Sequence, residues 1–463
     1  MVPNSPVVGI FHGPADYSDA DTSVRGALEL AGFRRSNPLA ELIQPGDYVL
    51  LKPNLIRESH LQRPDEWEQV ITHGAIICAV VGLVVEALQG SGRIVIADGP
   101  QTDSDFDQIS ARVGLAQIVN DFRREGVSIE AYDLRRDRWF QKGDVIYKRV
   151  RLAGDPAGYT TVELGAASEF SSYALSGNFY GADYDVSETA TFHNAERHSY
   201  VLCRSVMDAD VVINLPKLKT HKKTGVTLSL KNMVGINGYR NCLPHFTRGT
   251  PSQGGDEFPS DGVRARVEGQ AIRAFKKAIS LVGGSSGTWA RGIKQAGRAV
   301  FGDSEQVTRS GNWYGNDTTW RMALDLNKAL FYFNGEGLPR SKPLRYLTIV
   351  DGIIAGEGNG PMSPDARPAG LIVAGRNPVA VDTVCTLIMG FDYRRIGIVA
   401  SAWNIKDYAL APFPSREVRC SSNLPEWNGS LEDIGQAPHL AFRPHFGWKG
   451  HIERPANVEA LLG

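Results

Sequence analysis

Five lysines (Lys217, Lys219, Lys222, Lys223 and Lys231) and His221 fall within the 15 residues KLKTHKKTGVTLSLK, just after the apolar run Val211-Val212-Ile213. No Asp or Glu occurs from Val211 to Gly255, and Arg240 and Arg248 extend the positive side. The whole chain carries a formal charge of only −1, so the imbalance is local. Cations crowded without counter-charges repel one another, and a bound anion stabilises them. A lysine bonded to a phosphate or carboxylate away from water contributes about 1.5–3 kcal/mol.

Lys217, Lys219 and His221 alternate, so an extended segment turns them to one face. Thr224-Gly225 suggests a turn, Val226 to Leu230 is short and apolar, and Lys231-Asn232 follows. Apolar neighbours set Lys217, Lys219 and Lys231 apart from Lys222-Lys223, which read as a solvated basic face. His221 suits acid/base work or metal ligation, and an ordinary hydrogen-bonding role stays open. The catalytic candidates are therefore His221, Lys219 and Lys231.

Other motifs offer partners for this cluster. Lys52-Pro53-Asn54 ends a strand-like run, where open parallel sheets bind ligands; Pro blocks further pairing while Lys and Asn supply donors. Lys52, Asn54, Lys217 and Asn232 form the expected anion-holding set. Asp98-Gly99-Pro100, also a strand exit, reads first as a turn. In GNWYGNDTTWR, Thr318 or Asp317 is positioned to cap a helix, and Trp313, Tyr314 and Asn316 offer stacking and hydrogen bonding. Asp351-Gly352-Ile353-Ile354-Ala355-Gly356-Glu357-Gly358-Asn359-Gly360-Pro361 follows another strand. Its glycines permit close backbone approach, but it is neither a dinucleotide fingerprint nor a Walker loop. Asp351 and Glu357 could hold a divalent metal or orient a sugar or amine, and Asn359 joins the ligand set. Asp382, early in a helix, most simply serves that helix's N-terminal dipole. Neither a Gly-x-Ser-x-Gly elbow nor a His-Glu-x-x-His helix occurs, which disfavours serine hydrolases and zincins.

These groups need elements to position them. Val7–Phe11, Tyr48–Lys52, Arg93–Ala97, Val211–Leu215, Leu347–Val350 and Leu371–Ala374 read as strands, several of the continuous apolar type buried on both faces. Thr22–Ala31, Gly74–Gln89, Val263–Ile279, Thr318–Tyr332 and Ala380–Met389 read as helices. Strands alternating with helices through short loops indicate an α/β fold with a mainly parallel sheet. The Gly-, Ser- and Arg-containing stretch Gly283–Gly315 reads as part of a central insertion or lid. The division expected is 1–235, an N-terminal α/β half; 236–345, the insertion; and 346–463, a C-terminal α/β half with a wrapping tail. One sheet assembled from both ends fits as well as two domains in series.

The 463 residues are 42% hydrophobic and 22% charged, ordinary values for a soluble globular chain. Near-zero net charge argues against a general nucleic-acid binder. The five cysteines are scattered and form no CxxC pair, which disfavours an iron–sulfur cluster, a cysteine-ligated zinc and a disulfide framework. A reducing compartment fits them best. The N-terminus shows no signal-peptide pattern, and the longest apolar run, Ala75–Leu88, is too short to span a bilayer and contains Glu86. The expectation is a cytoplasmic protein without nucleic-acid or membrane partners, with self-association left open.

LLKPNLI, IADGP, VINLPKLKTHKKTGVTLSLKNMVGI, VDGIIAGEGNGP, NPVAVDTV and MGFD resemble, in that order, the domain of unknown function family 362, over roughly Val7 to Asp392. The family is largely uncharacterised, so the resemblance implies a fold and little chemistry. Many members carry a ferredoxin-type cysteine segment, which this chain lacks. A distant likeness to the nickel-dependent lactate racemase family implies lysines and histidines placed between two α/β lobes.

The functional expectation is an enzyme acting on an anionic small molecule, a carboxylate or phosphorylated metabolite, with reaction type and cofactor open and a divalent metal admitted. A non-catalytic carrier of an anionic cofactor and a metal-dependent isomerase or racemase are the alternatives.

Overall fold

The computed structural model describes residues 5–142, 145–182, 186–261 and 308–455. The strands, in chain order, begin with Val7–His12 (β1), Tyr48–Pro53 (β2), Arg93–Asp98 (β3) and Ile129–Asp133 (β4). Asp137–Lys142 (β5), Val145–Arg151 (β6), Tyr159–Glu163 (β7), Phe179–Tyr180 (β8) and Ser199–Cys203 (β9) follow. Then come Val211–Leu215 (β10), Lys217–His221 (β11), Gly225–Thr227 (β12), Phe246–Thr247 (β13), Arg345–Asn359 (β14), Ser363–Gly375 (β15), Arg419–Ser422 (β16) and Gly429–Ser430 (β17).

One mixed sheet dominates, in the order β17-β16-β1-β15-β14-β10-β2-β3-β4, with β11 beside β14 and β12 beside β11. Its β14-β10-β2-β3-β4 portion is parallel throughout. The hairpin β14–β15 is antiparallel, as is the β1–β15 pair. Three small two-stranded sheets, β5–β6, β7–β9 and β8–β13, lie outside it.

Burial on both faces of the parallel strands follows from their continuous apolar runs. Val49, Leu51, Ile94, Ile96, Val211 and Ile213 point into one core. Tyr48, Leu50, Val95, Ala97 and Val212 point into the other. The period of two along each strand decides the side. Helices Ala20–Leu30, Gly74–Leu88, Phe106–Val113 and Leu115–Arg124 cover the first face. Helices Thr319–Tyr332 and Pro378–Met389 contribute to the second. The fold is α/β, as the alternation of elements indicates.

Strands from 1–235 and from 346–463 interleave: β1 lies between β16 and β15, and β10 beside β14. The chain's two ends thus share one sheet. The helix expected over Val263–Ile279, and the part of Gly283–Gly315 before 308, lie outside the described residues. Among the described residues no helix is long and apolar enough to cross a membrane.

The largest departure from the sequence reading is the glycine-rich segment after Val350. The expected strand ends at Val350, whereas the segment continues β14 to Asn359, paired with β15 through a register shift between Gly352 and Ile354. The glycines serve backbone packing within the protein. A Cβ on Gly360 would sit 1.9 Å from the Thr220 carbonyl oxygen, and one on Gly356 would sit 2.7 Å from that of Gln69.

Candidate anion site

β10 and β11 form one line beside β14, broken at Pro216, whose carbonyl accepts the Asp351 amide at 2.9 Å. All five residues of β11 are buried. Lys217 Nζ donates to Asp351 Oδ2 at 2.9 Å and to Tyr17 Oη at 2.8 Å, with both charged side chains fully buried. Asp351 also accepts from Tyr17 Oη and from the His73 amide. The His73 ring stacks between those of Tyr17 and Trp67, at centroid distances of 3.6 and 5.0 Å. Lys217 therefore has an internal counter-ion, and Asp351 is that counter-ion.

Glu357 accepts from the backbone amide and Nε of Arg443, at 3.0 and 2.8 Å. Asp351 and Glu357 lie six residues apart on one strand, a span of about 20 Å, so they do not share an ion. Among the described residues no group of three His, Cys, Asp or Glu side chains could hold a metal. The expected metal pair is corrected accordingly.

Lys52 follows the same pattern as Lys217. Its Nζ lies 2.6 Å from Asp98 Oδ1, with both side chains buried. Asp98, read from sequence as a turn residue, also accepts from the Leu55 and Gly99 amides. Burial, the leading cause, lowers the Lys52 pKa against the pull of Asp98. Asn232 ties this pair to the lysine segment: its Oδ1 accepts from Asn54 Nδ2 at 2.9 Å, and its Nδ2 donates to Asn214 Oδ1 and the Lys52 carbonyl. Asn54 and Asn232 are thus mutual partners within a buried network. Gly235 packs on the ion pair, where a Cβ would fall 2.0 Å from Asp98 Oδ1 and 2.7 Å from Lys52 Nζ. Gly235→Ala is expected to destabilise the fold by about 1–3 kcal/mol through this overpacking, read as a lower midpoint in chemical denaturation.

Lys219 is sealed as well, but by neutral oxygens. Its Nζ donates to the Val70 carbonyl, to Asn54 Oδ1 at 3.2 Å and to the Pro361 carbonyl at 3.2 Å. Burial, then Lys217 and Lys231, push its pKa well below the usual lysine range.

Lys231 differs from all of these. It is 9% exposed, and its amine has no hydrogen-bond or ion-pair partner among the described residues. Burial first, then the charges of Arg240 and Lys52, push its pKa down to about 7. It sits in the short helix Ser229–Asn232, whose first amides, of Ser229 and Leu230, donate to the Asp382 carboxylate at 2.8 and 2.9 Å. Asp382 thus holds the Lys231 helix, a correction to its expected role at the start of its own helix.

Two histidines share the surroundings of Lys231 with opposite hydrogen-bond polarity. His221 Nδ1 accepts from the Lys223 and Thr224 amides at 3.0 and 3.3 Å, so its proton resides on Nε2. Burial and then Lys231 hold its pKa well below the usual histidine range, which keeps the ring neutral. His221 is therefore arranged as an Nε2–H donor, a tautomer that does not suit metal ligation through Nε2. His245 is the reverse. Its Nδ1 lies 2.8 Å from the Leu243 carbonyl, which can only accept, so Nε2 carries the lone pair. Burial, then Lys231 and Lys223, lower its pKa to about 3. Lys223 links the two regions: its amide is bonded to His221, and its Nζ lies 4.9 Å from the Phe246 ring centroid.

Arg240 completes the group. Its guanidinium donates to the carbonyls of Gly99, Pro100 and Val234, and its Nε is buried with no hydrogen-bond partner. The sequence reading missed His245 and marked Arg240 only for its charge; the acid-free run that reaches Gly255 was the available signal.

Trp313 and Asn316 have hydrogen-bond partners within the protein. Trp313 Nε1 donates to the Asp256 carbonyl. Thr318 holds the N-cap position of the following helix without a side-chain capping bond; Asn316 Oδ1 accepts from the Thr318 and Thr319 amides, and its Nδ2 donates to the His245 carbonyl at 3.1 Å. Asn359 is exposed at the end of β14.

A family model described as a domain of unknown function, DUF362, matches residues 49–162 and 157–387. A thylakoid-associated protein of Synechocystis sp. is 24% identical over 379 residues, covering 82% of this chain and 73% of that protein. A crystal structure of a Thermotoga maritima protein aligns over 81% of this chain with 12% identity and a TM-score of 0.36, and the chain spans 60% of that protein's length. With its strand-end lysine motif and the family match covering most of its length, the chain belongs to the DUF362 family.

Proposed function

We propose that this chain is an enzyme acting on an anionic small molecule, a carboxylate or phosphorylated compound, bound at Lys231. The observation that carries the reading is the unpartnered Lys231 amine, nearly buried and within reach of the charges of Arg240 and Lys52. Lys52 and Lys217 already have carboxylate partners, and Lys219 is closed off by three oxygens. That leaves Lys231 to attract the guest, with His221 Nε2–H as a neutral donor beside it. A buried cation without a partner costs folding free energy, and an anion that neutralises it gives that energy back as affinity.

Calorimetric titration with inorganic phosphate and with malonate tests this. One anion per chain is expected to bind, more weakly as pH rises above about 7, where Lys231 loses its proton. A single linked proton reduces affinity by up to about tenfold per pH unit. Absence of binding by either anion, or binding unchanged in Lys231→Met, would overturn the reading.

A further inference from the structure

Five lysines among the described residues are buried: Lys52, Lys217, Lys219, Lys231 and Lys328. Four have their amines engaged, by Asp98, by Asp351 and Tyr17, by three neutral oxygens, and by Glu169 with the Ala167 carbonyl. Lys231 alone of these has no acceptor. An amine that donates no hydrogen bond and is crowded by cations carries an available lone pair near neutral pH, the condition for a nucleophilic lysine.

We propose that Lys231 forms an imine with the carbonyl carbon of a 2-oxo acid. The inference rests on the anion site proposed above, which supplies the reason for this substrate class. A 2-oxo acid places a carboxylate next to its carbonyl, so cations beside Lys231 can hold the carboxylate while the amine meets the carbon. Arg240, whose buried Nε lacks an acceptor, and Lys52, which is paired with Asp98, are the cations that act on Lys231. His221 Nε2–H is a donor for the carbonyl oxygen. The low lysine pKa accords with this role.

The step balances without an oxidant or reductant. The nitrogen lone pair forms the bond to carbon as the carbonyl π pair moves to oxygen. The carbon–oxygen bond then breaks, and the oxygen leaves as water with two hydrogens lost from nitrogen. Lysine ammonium plus oxo acid therefore gives protonated imine plus water.

The test is reductive trapping of the full chain with glyoxylate or pyruvate and cyanoborohydride, which delivers hydride to the imine and leaves a stable secondary amine. Peptide mass spectrometry is expected to find one adduct per chain, on the peptide bearing Lys231, forming faster as pH rises toward 7 and suppressed by malonate. Lys231→Arg, which keeps the charge, is expected to retain malonate binding and lose the adduct. Labelling of surface lysines with Lys231 unmodified overturns the imine, and malonate binding in the same sample leaves the anion site standing. An adduct on Lys231 that malonate does not suppress upholds the nucleophile and removes the anion site. Because malonate protection is read on the unaltered chain, the test holds even if Lys231→Arg fails to fold.

Discussion

Lys217→Met is expected to destabilise the protein by about 3–5 kcal/mol, the usual cost of stranding one member of a buried ion pair. The substitution leaves the Asp351 carboxylate fully buried with only neutral partners, Tyr17 Oη and the amides of His73 and Ile353. Removing the second charge as well, in Lys217→Met/Asp351→Asn, is expected to restore about 2 kcal/mol or more, because asparagine keeps the acceptor oxygen without the charge. Urea denaturation midpoints of the two variants measure both effects. An external-anion role for Lys217 makes the opposite forecast: near-native stability, with anion binding lost. The buried Asp351 contact favours the first outcome.

Lys231→Met reverses the sign. It is expected to abolish binding of phosphate and malonate yet raise stability at neutral and lower pH, since it deletes an uncompensated, nearly buried cation. The pH dependence follows from linkage. Burial, then Arg240 and Lys52, push the Lys231 pKa down to about 7 in the folded chain from its ordinary 10.5. Below pH 7 both states are protonated and the full cost of burying the charge is present. Between about 7 and 10.5 the unfolded state binds more protons, so the native state gains stability as pH rises, by at most about 1.4 kcal/mol per unit. Above 10.5 both states are neutral at this site and the cost is gone. Subtracting the stability curve of Lys231→Met from that of the unaltered chain isolates this group from the other titrating residues. A difference that stays flat between pH 7 and 10, or a variant less stable than the parent at pH 6, contradicts the assignment.

The core strands were legible because runs such as Tyr48–Lys52 and Arg93–Ala97 announce burial on both faces. Helix Gly74–Leu88 was legible from its length and apolar content. The lysines were readable as a group, but their roles were not. What separates Lys52 and Lys217 from Lys231 is the arrival of Asp98 and Asp351 from remote segments, and Asp351 lies 134 residues from its lysine. Local patterning carries no record of such a pairing. The glycine-rich end of β14 was misread because glycine signals both loops and strands approached closely by another backbone. Asp382 was assigned to its own helix because nothing nearby in sequence shows that Ser229 and Leu230 come to it. The tautomers of His221 and His245 depend on backbone groups two or three residues away, and only the local turn geometry decides which ring nitrogen they meet.

The place of β1, clasped between β15 and β16, bears on how the chain is made. On the ribosome the first strand must wait until residues beyond 419 have emerged before its second edge is covered. Vectorial synthesis therefore cannot close the sheet stepwise from its beginning. A chain made only as far as β15 leaves the other edge of β1 unpaired, an edge open to chaperones and to other copies.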